Sequence, residues 1–360
     1  MVAHGYFEEM KKNRFISFIL ALSYALSFSN CINPMPIDTP TPYYPAHATP
    51  TPQAFGAIAV QRGINLGNAL DAPVPGEWGV TIQPHYFETI RSAGFDSVRL
   101  PVRFSAHAAQ NPPYTLDPAF LMLVDDTLRQ ALDAGLVVIL DLHHYEELME
   151  DPAGQRQRFL AIWQQLAGHY QGAPENLYFE ILNEPVKNLD AAVWNGLIAE
   201  VVPLIRLSSP QRILIIGGAD YNSISALDAL QLPDDDRLVV TFHFYEPFEF
   251  THQGAGWVPG SHEWNGTTWN GTDTDERLIE ERLDRAAAWS AQRQVPLLMG
   301  EFGSIISADP ASRRRWTDFV ARQAEKRNIP WLYWQFCSDF GVYDCQQESW
   351  DAGLLQALIP

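Results

Sequence analysis

Two glutamates occupy similar positions at the ends of short apolar runs. Glu184 closes the run that begins at Tyr178 and is followed by Pro185, and Glu301 closes the run that begins at Val295. A carboxylate at the edge of an apolar core is poorly solvated, which raises its pKa as a general acid near neutral pH requires. Either glutamate alone is more simply explained as a solvated residue at a strand end. The two together match the proton donor and the nucleophile or base of glycoside hydrolysis.

The sequences around both glutamates resemble a known family. The Asn-Glu-Pro sequence at 183–185 and the Gly-Glu-Phe-Gly sequence at 300–303 are similar to the acid/base and nucleophile signatures of glycoside hydrolase family 5, the cellulase family A enzymes. The resemblance extends from about Gly56 to the C-terminus. It therefore covers a whole domain and not a single tripeptide.

The resemblance implies a retaining endo-glycosidase that hydrolyses a β-1,4-linked glucan. Glu301 is expected to be the nucleophile, and Glu184 is expected to be the acid and then the base. Asn183 is expected to hold the 2-hydroxyl of the sugar. No metal or organic cofactor is implied, and the expected partner is a polysaccharide or oligosaccharide.

Polar residues at other strand ends are candidates for substrate binding. Arg99 interrupts an apolar run, and a buried guanidinium needs a carboxylate partner. The resemblance places Arg99 beside the nucleophile, whereas strand alternation allows a salt bridge to Glu180 instead. His143 and His144 are adjacent, so on an extended chain they face opposite ways. The resemblance implies that His143 bonds sugar hydroxyls and that His144 supports it; a metal site is the competing interpretation of such a pair.

The later strands supply further candidates. His243 and Tyr245 are two residues apart and share one face of a strand. By resemblance, Tyr245 donates a hydrogen bond to Glu301 and His243 lies near Glu184, although a core histidine and a half-buried tyrosine are the plainer alternative. Trp334 matches the family tryptophan that stacks under the sugar at the point of cleavage. Asn68 is a further sugar-contact candidate.

The elements that must position these residues alternate between strand-like and helix-like runs, as in a parallel sheet with crossover helices. Eight β/α units predict a (β/α)8 TIM barrel in the α/β class, whose chemistry lies at the C-terminal ends of the strands. The predicted strands are 62–66, 97–102, 137–141, 177–182, 213–217, 239–244, 296–300 and 331–336. The predicted helices are 84–93, 118–134, 155–170, 191–207, 223–230, 275–293, 310–326 and 353–358.

Two loops of the predicted barrel carry unusual residues. The long loop 252–275 contains Trp257, Trp264 and Trp269, which we interpret as a cleft wall or distal sugar subsites. Cys337 and Cys345 flank a short loop after the last strand. They form a disulfide across that loop if the protein is exported, or else remain separate thiols.

The composition and the N-terminus predict an exported protein. A basic segment followed by an apolar run predicts a signal peptide within residues 1–31, with a possible lipoprotein-type processing site at Cys31. A Pro/Thr-rich linker is predicted at 32–55 and the catalytic domain at 56–360. The formal net charge of −19 disfavours nucleic acid as a partner. We expect a secreted monomer without stable membrane insertion, or one anchored to the cell surface through Cys31.

Other functions remain open at this point. The same family includes mannan, mixed-linkage glucan and xyloglucan hydrolases, and a barrel does not identify its substrate. A sugar-binding protein without catalytic activity would keep the cleft and lose turnover. A metalloenzyme would use His143, His144 and His243 as ligands. Reducing-sugar release and metal analysis distinguish these classes from the leading prediction.

Overall fold

A computed structural model describes residues 58–360 of the chain. The predicted signal peptide (1–31), the linker (32–55) and Cys31 lie outside the described residues. The predicted catalytic domain, 56–360, is described apart from its first two residues. Among residues 58–360, no helix has both the length and the apolar character that crossing a membrane requires.

Eight parallel strands close into a barrel in chain order, with the first strand paired to the last. This confirms the predicted (β/α)8 fold. The strands are β1 (Arg62–Asn65), β2 (Ser97–Val102), β3 (Val137–Leu142), β4 (Leu177–Glu180), β5 (Leu214–Gly217), β6 (Leu238–Phe244), β7 (Leu297–Phe302) and β8 (Trp331–Tyr333).

Helices connect the strands and cover the outside of the barrel. Three of the longest begin with an aspartate whose side chain accepts a backbone N–H bond, followed by a proline at the first helical position, which is a favourable helix start. The helices are α1 (His85–Ser92), α2 (Pro118–Asp133), α3 (Glu146–Glu150), α4 (Pro152–His169), α5 (Ala191–Arg206), α6 (Phe248–Thr251), α7 (Asp273–Arg293), α8 (Pro310–Lys326) and α9 (Ala352–Leu358). The fifth connection is a 3₁₀ helix, Ile224–Ala229.

Two predicted strand ends were wrong in a way that matters for the site. β4 ends at Glu180 instead of residue 182, so Glu184 lies in the following loop, where its backbone has a φ of 46°. That left-handed conformation is incompatible with an extended strand. β7 runs two residues further than predicted, to Phe302, so Glu301 belongs to the strand itself.

The loop after β8 is closed by a disulfide between Cys337 and Cys345, which decides the alternative left open by the sequence. A short antiparallel pair, β9 (Tyr343–Asp344) and β10 (Ser349–Trp350), follows it. The loop 252–275 is less uniform than predicted. Trp257 is 58% exposed, whereas Trp269 is buried against Phe319 and is therefore a packing residue.

Candidate active site

Arg99 is the centre of a buried polar network at the C-terminal end of the barrel. A guanidinium has five N–H donors. Its Nε and one Nη2 donor bind both oxygens of Glu180, at 2.7 and 2.9 Å. Asn183 accepts from Nη2 at 2.8 Å, and Asn65 and Glu301 accept from Nη1 at 3.0 and 2.6 Å. Both readings of Arg99 are therefore present, because it contacts the predicted nucleophile and Glu180 together.

Glu301 is held by three different groups. Besides Arg99, the Tyr245 hydroxyl donates to Oε2 at 2.8 Å, and His243 Nδ1 lies 3.5 Å from the same oxygen. Burial raises the pKa of Glu301, while His243, Arg99 and the Tyr245 hydrogen bond oppose that rise. Both oxygens are thus fixed in place, as a nucleophile requires.

Glu184 lies in a different environment. Its Oε1 contacts His243 Nδ1 at 2.7 Å, and its side chain remains 28% exposed. Burial raises its pKa to about 7, with only the more distant Arg99 acting against the rise. A carboxyl group with this pKa holds a proton near neutral pH and is suited to general acid catalysis.

The two glutamates are close enough to act on one bond. His243 bridges them, and an oxygen of Glu184 lies within 4.8 Å of an oxygen of Glu301. Retaining glycosidases hold their two carboxyl groups roughly 5–5.5 Å apart, whereas inverting enzymes separate them by about 6.5–9.5 Å to admit a water. The close approach favours a retaining arrangement.

His143 is a neutral, oriented hydrogen-bonding group. Its Nδ1 contacts Asp141 Oδ2 at 2.5 Å, and its ring lies parallel to Trp334 with 5.8 Å between centroids. Burial lowers the pKa of His143 well below the ordinary histidine value. Its Nε2 is thereby left to face the space above the barrel.

His144 does not follow the prediction that adjacent histidines face opposite ways. β3 ends at Leu142 and His144 has a φ of 48°, so the extended-chain argument does not apply to it. The rings of His143 and His144 instead lie 4.4 Å apart, and Trp78 contacts His144 edge-on. Burial lowers the pKa of His144 to about 3, so it is also neutral.

Asn68 and Trp334 lie at the opposite side of the site from Glu184. Asn68 has a φ of 63° and donates from Nδ2 to Ser338 Oγ at 3.1 Å. Its amide nitrogen therefore braces the loop after β8, which its predicted role in sugar contact did not include. Trp334 is half-buried, with one face toward His143.

Several site residues were missed by the sequence analysis. Asp141 orients His143, and its place two residues earlier on the same strand face was a usable signal. Asn65 bonds Arg99 and also donates to the carbonyl of Gly300. Asn222 contacts His243 from a loop, and no periodic pattern marks it.

Two clusters have the donor types that metal ions bind. They are Asp71, His143 and His144, and Glu184, His243 and Glu301. In the first cluster, both Asp71 oxygens already accept backbone N–H bonds from Asn68 and Ala69. The expectation that the enzyme needs no metal stays a prediction.

The fold and the paired carboxylates together define a glycoside hydrolase of the (β/α)8 type. Comparison with known families agrees with this class. A family model described as cellulase, glycosyl hydrolase family 5, matches residues 56–340. The chain belongs to glycoside hydrolase family 5.

Similar proteins include several endoglucanases. Endoglucanase H of Acetivibrio thermocellus is 36% identical over 303 residues, which are 82% of this chain and 32% of that much longer protein. Endoglucanase C of the same organism is 31% identical, and the match covers 80% of this chain and 94% of the relative. The crystal structure of endoglucanase Cel5A from Thermotoga maritima has a TM-score of 0.82 and 47% identity, covering 83% of this chain and 97% of that one.

Proposed function

We propose that the protein is a retaining endo-β-1,4-glucanase. The observation that carries the proposal is the pair Glu184 and Glu301, which share His243 and approach within 4.8 Å in unlike environments. Membership in family 5 and the similarity to endoglucanases support glucan as the substrate.

In the first step, a Glu301 oxygen attacks the anomeric carbon of the sugar. The bond from that carbon to the glycosidic oxygen breaks, its electron pair stays on the oxygen, and Glu184 supplies the proton. Arg99 and Tyr245 hold the Glu301 carboxylate by hydrogen bonds to different oxygens, which limits its rotation. The sugar is then joined to Glu301 as a glycosyl ester.

In the second step, Glu184 is ionised and acts as a base. It accepts a proton from a water molecule whose oxygen bonds to the anomeric carbon, and the bond from that carbon to Glu301 breaks. Two displacements at one carbon restore its original configuration. Glu184 regains its proton and the enzyme returns to its starting state.

Neighbouring groups are suited to hold the sugar during both steps. The Oδ1 of Asn183 accepts from Arg99, so its Nδ2 is left to donate to the 2-hydroxyl of the sugar. The Nε2 of His143 and the indole of Trp334 provide a polar and a flat apolar contact beside it. Such contacts to hydroxyl groups strengthen as the ring flattens in the transition state.

The choice of polysaccharide within this class needs a direct test. Structures of Thermotoga maritima Cel5A are described in complex with cellobiose and with mannotriose, at 47% and 46% identity to this chain. A β-mannanase activity is therefore the second candidate.

Reducing-sugar release from cellulose derivatives, mixed-linkage glucan, xyloglucan and mannan compares these candidates. The Glu301→Gln variant is the control for contaminating enzymes. Release from β-1,4-glucans with a rapid fall in viscosity supports the proposal. Release from mannan alone would replace it with the second candidate, and no release from any polymer would leave a sugar-binding protein.

We also propose that the protein is exported and acts as a monomer. The basic and apolar segments within residues 1–31 and the Pro/Thr-rich segment at 32–55 support export. Mass spectrometry of the protein from its native host should show loss of at least residues 1–29. An intact N-terminus in the cytosol would contradict export, and a dimer in size-exclusion chromatography with light scattering would contradict the monomer.

A further inference from the structure

Asn222 lies in a loop segment with an uncommon backbone conformation. Asp220, Tyr221 and Asn222 all have positive φ, at 61°, 59° and 54°. The segment is held on two sides by backbone hydrogen bonds. Tyr221 N–H donates to the carbonyl of Pro185 at 3.3 Å, and the carbonyl of Asn222 accepts from His243 N–H at 2.9 Å. It therefore connects the Glu184 loop with strand β6.

The side chain of Asn222 is fully buried and directed at the ring of His243. Its Nδ2 lies 3.4 Å from His243 Nε2, a long hydrogen bond. Gly217 makes room for this side chain, because a Cβ at that position would overlap the Asn222 amide. An amide nitrogen only donates, so His243 Nε2 must be the ring nitrogen with the free lone pair.

The other ring nitrogen faces acceptors. His243 Nδ1 lies 2.7 Å from Glu184 Oε1 and 3.5 Å from Glu301 Oε2. The charged groups that act on the ring are these two glutamates, Glu180 and Arg99. Burial lowers the pKa of His243, so the ring is neutral near pH 7 and carries one N–H. Two carboxyl groups on one side and an amide donor on the other both favour placing that hydrogen on Nδ1.

We propose that Asn222 is a positioning residue that fixes His243 as the Nδ1–H tautomer. In this tautomer, His243 donates to Glu184 Oε1, so the proton that Glu184 transfers to the leaving group resides on Oε2. When Glu184 becomes ionised, the same N–H stabilises the carboxylate that then acts as the base. The inference rests on the proposed function for the meaning of this proton, but the tautomer itself is measurable without any substrate.

Long-range ¹H–¹⁵N correlation spectra of the complete, ¹⁵N-histidine-labelled protein report the tautomer directly. The His243 signals are assigned by their loss in His243→Asn. We expect a pyrrole-type shift for Nδ1 and a pyridine-type shift for Nε2 in the wild-type protein. The reverse pattern would overturn the proposal, since it requires the Asn222 carbonyl to face a protonated Nε2.

Two variants and a control sharpen this measurement. Asn222→Asp replaces the donor by an acceptor and should move the hydrogen to Nε2 or produce the imidazolium. Asn222→Gly keeps the left-handed backbone without the side chain and should give a mixture of tautomers. Asn328 also has a positive φ, 55°, but is exposed and distant in the fold, so Asn328→Asp controls for the charge change. An unchanged His243 pattern in both Asn222 variants would overturn the proposal.

Kinetics separate positioning from a general structural defect. General acid catalysis contributes about 10²–10⁴-fold, and Asn222→Asp should forfeit about tenfold of it on a glucan. An activated aryl cellobioside needs little protonation of its leaving group, so its first step should change less than twofold to threefold, about within experimental context effects. Equal losses on both substrates would contradict the positioning role. A wild-type protein inactive on every glycan would instead refute the proposed function, while leaving the tautomer result intact.

Discussion

The interior of the barrel has two halves with opposite chemistry. The half toward the N-terminal ends of the strands is an apolar cluster that contains Ile139, Ile215, Val239, Leu298 and Leu332, all at 2% exposure or less. The half toward the C-terminal ends is the network around Arg99, which has carboxylates on several sides. The same strands build both halves.

The change occurs within single strands. On β3, Ile139 is followed two residues later by Asp141, and on β4 Tyr178 is followed by Glu180. Residues two apart share a face, so each strand contributes one apolar and one polar side chain to the interior. One buried guanidinium cannot neutralise every carboxylate that it contacts. Burial accordingly raises the pKa of Asp141 to about 7 and raises that of Glu180.

The difference shows that stability and catalysis are assigned to separate layers. The apolar half contributes burial energy, whereas the polar half holds charges that are costly to desolvate and are useful when they are oriented. Substitutions in the two halves should therefore separate loss of folding from loss of turnover.

Removing Glu301 should give the largest effect. Glu301→Ala takes away the nucleophile and should lower kcat on glucan by about 10⁵–10⁶-fold, as for other essential nucleophiles. Azide fits the space that the side chain leaves, and its single displacement gives a glycosyl azide of inverted configuration. NMR of the azide product checks this. An inverted azide adduct from Glu184→Ala instead would mean that the two roles are exchanged.

Removing Glu184 should give a smaller and substrate-dependent effect. Glu184→Ala should lower turnover of glucan by about 10²–10⁴-fold, the usual contribution of a general acid. The first step on an activated aryl glycoside should be spared, because its leaving group needs no proton. Pre-steady-state release of the aryl alcohol measures that step. Equal losses on both substrates would contradict the assignment of Glu184 as acid.

Arg99 and Leu298 offer a matched test of the two halves. Arg99→Met leaves buried carboxylates without a partner and should cost about 3–5 kcal/mol of folding free energy as well as turnover. Leu298→Ala should cost about 2–5 kcal/mol through the cavity that it creates, with kcat of the folded fraction within about twofold of wild type. Denaturant unfolding and active-site titration measure both quantities. A large loss of kcat in folded Leu298→Ala would blur the division between the halves.

The pH dependence should show a smaller effect of the same arrangement. Glu184 must be protonated for the first step, and its pKa of about 7 means that kcat/KM on glucan falls as pH rises through about 7. Glu301 must be ionised, and its raised pKa places the acidic limb above the ordinary glutamate value. Profiles with a glucan and with an activated aryl glycoside check the first limb. A basic limb of equal position and depth for both substrates would contradict its assignment to Glu184.

Much of this arrangement follows from local patterns in the sequence. β2 and α8 have the predicted bounds, and alternation correctly directed Glu180 into the barrel. α4 begins three residues earlier than predicted, because the aspartate and proline at 151 and 152 form a helix start that the analysis overlooked. Regular periodicity and capping chemistry are encoded by neighbouring residues, which explains why they were readable.

The parts that were missed depend on irregular backbone and on distant partners. Glu184, His144 and Asn222 have positive φ without being glycine, so nothing in their residue types announced the turn that orients them. Asn222 reaches His243 across 21 positions of sequence, and Arg99 reaches Glu301 across 202. Such contacts are fixed by closure of the barrel and not by any local pattern.

The configuration of the first product tests the central claim most directly. ¹H NMR of a cello-oligosaccharide digest, recorded before mutarotation, distinguishes the α from the β anomer of the newly formed reducing end. With Glu184 and Glu301 acting in two displacements, the first signal to grow should be that of the β anomer. Initial formation of the α anomer would show a single displacement by water and would contradict the retaining mechanism.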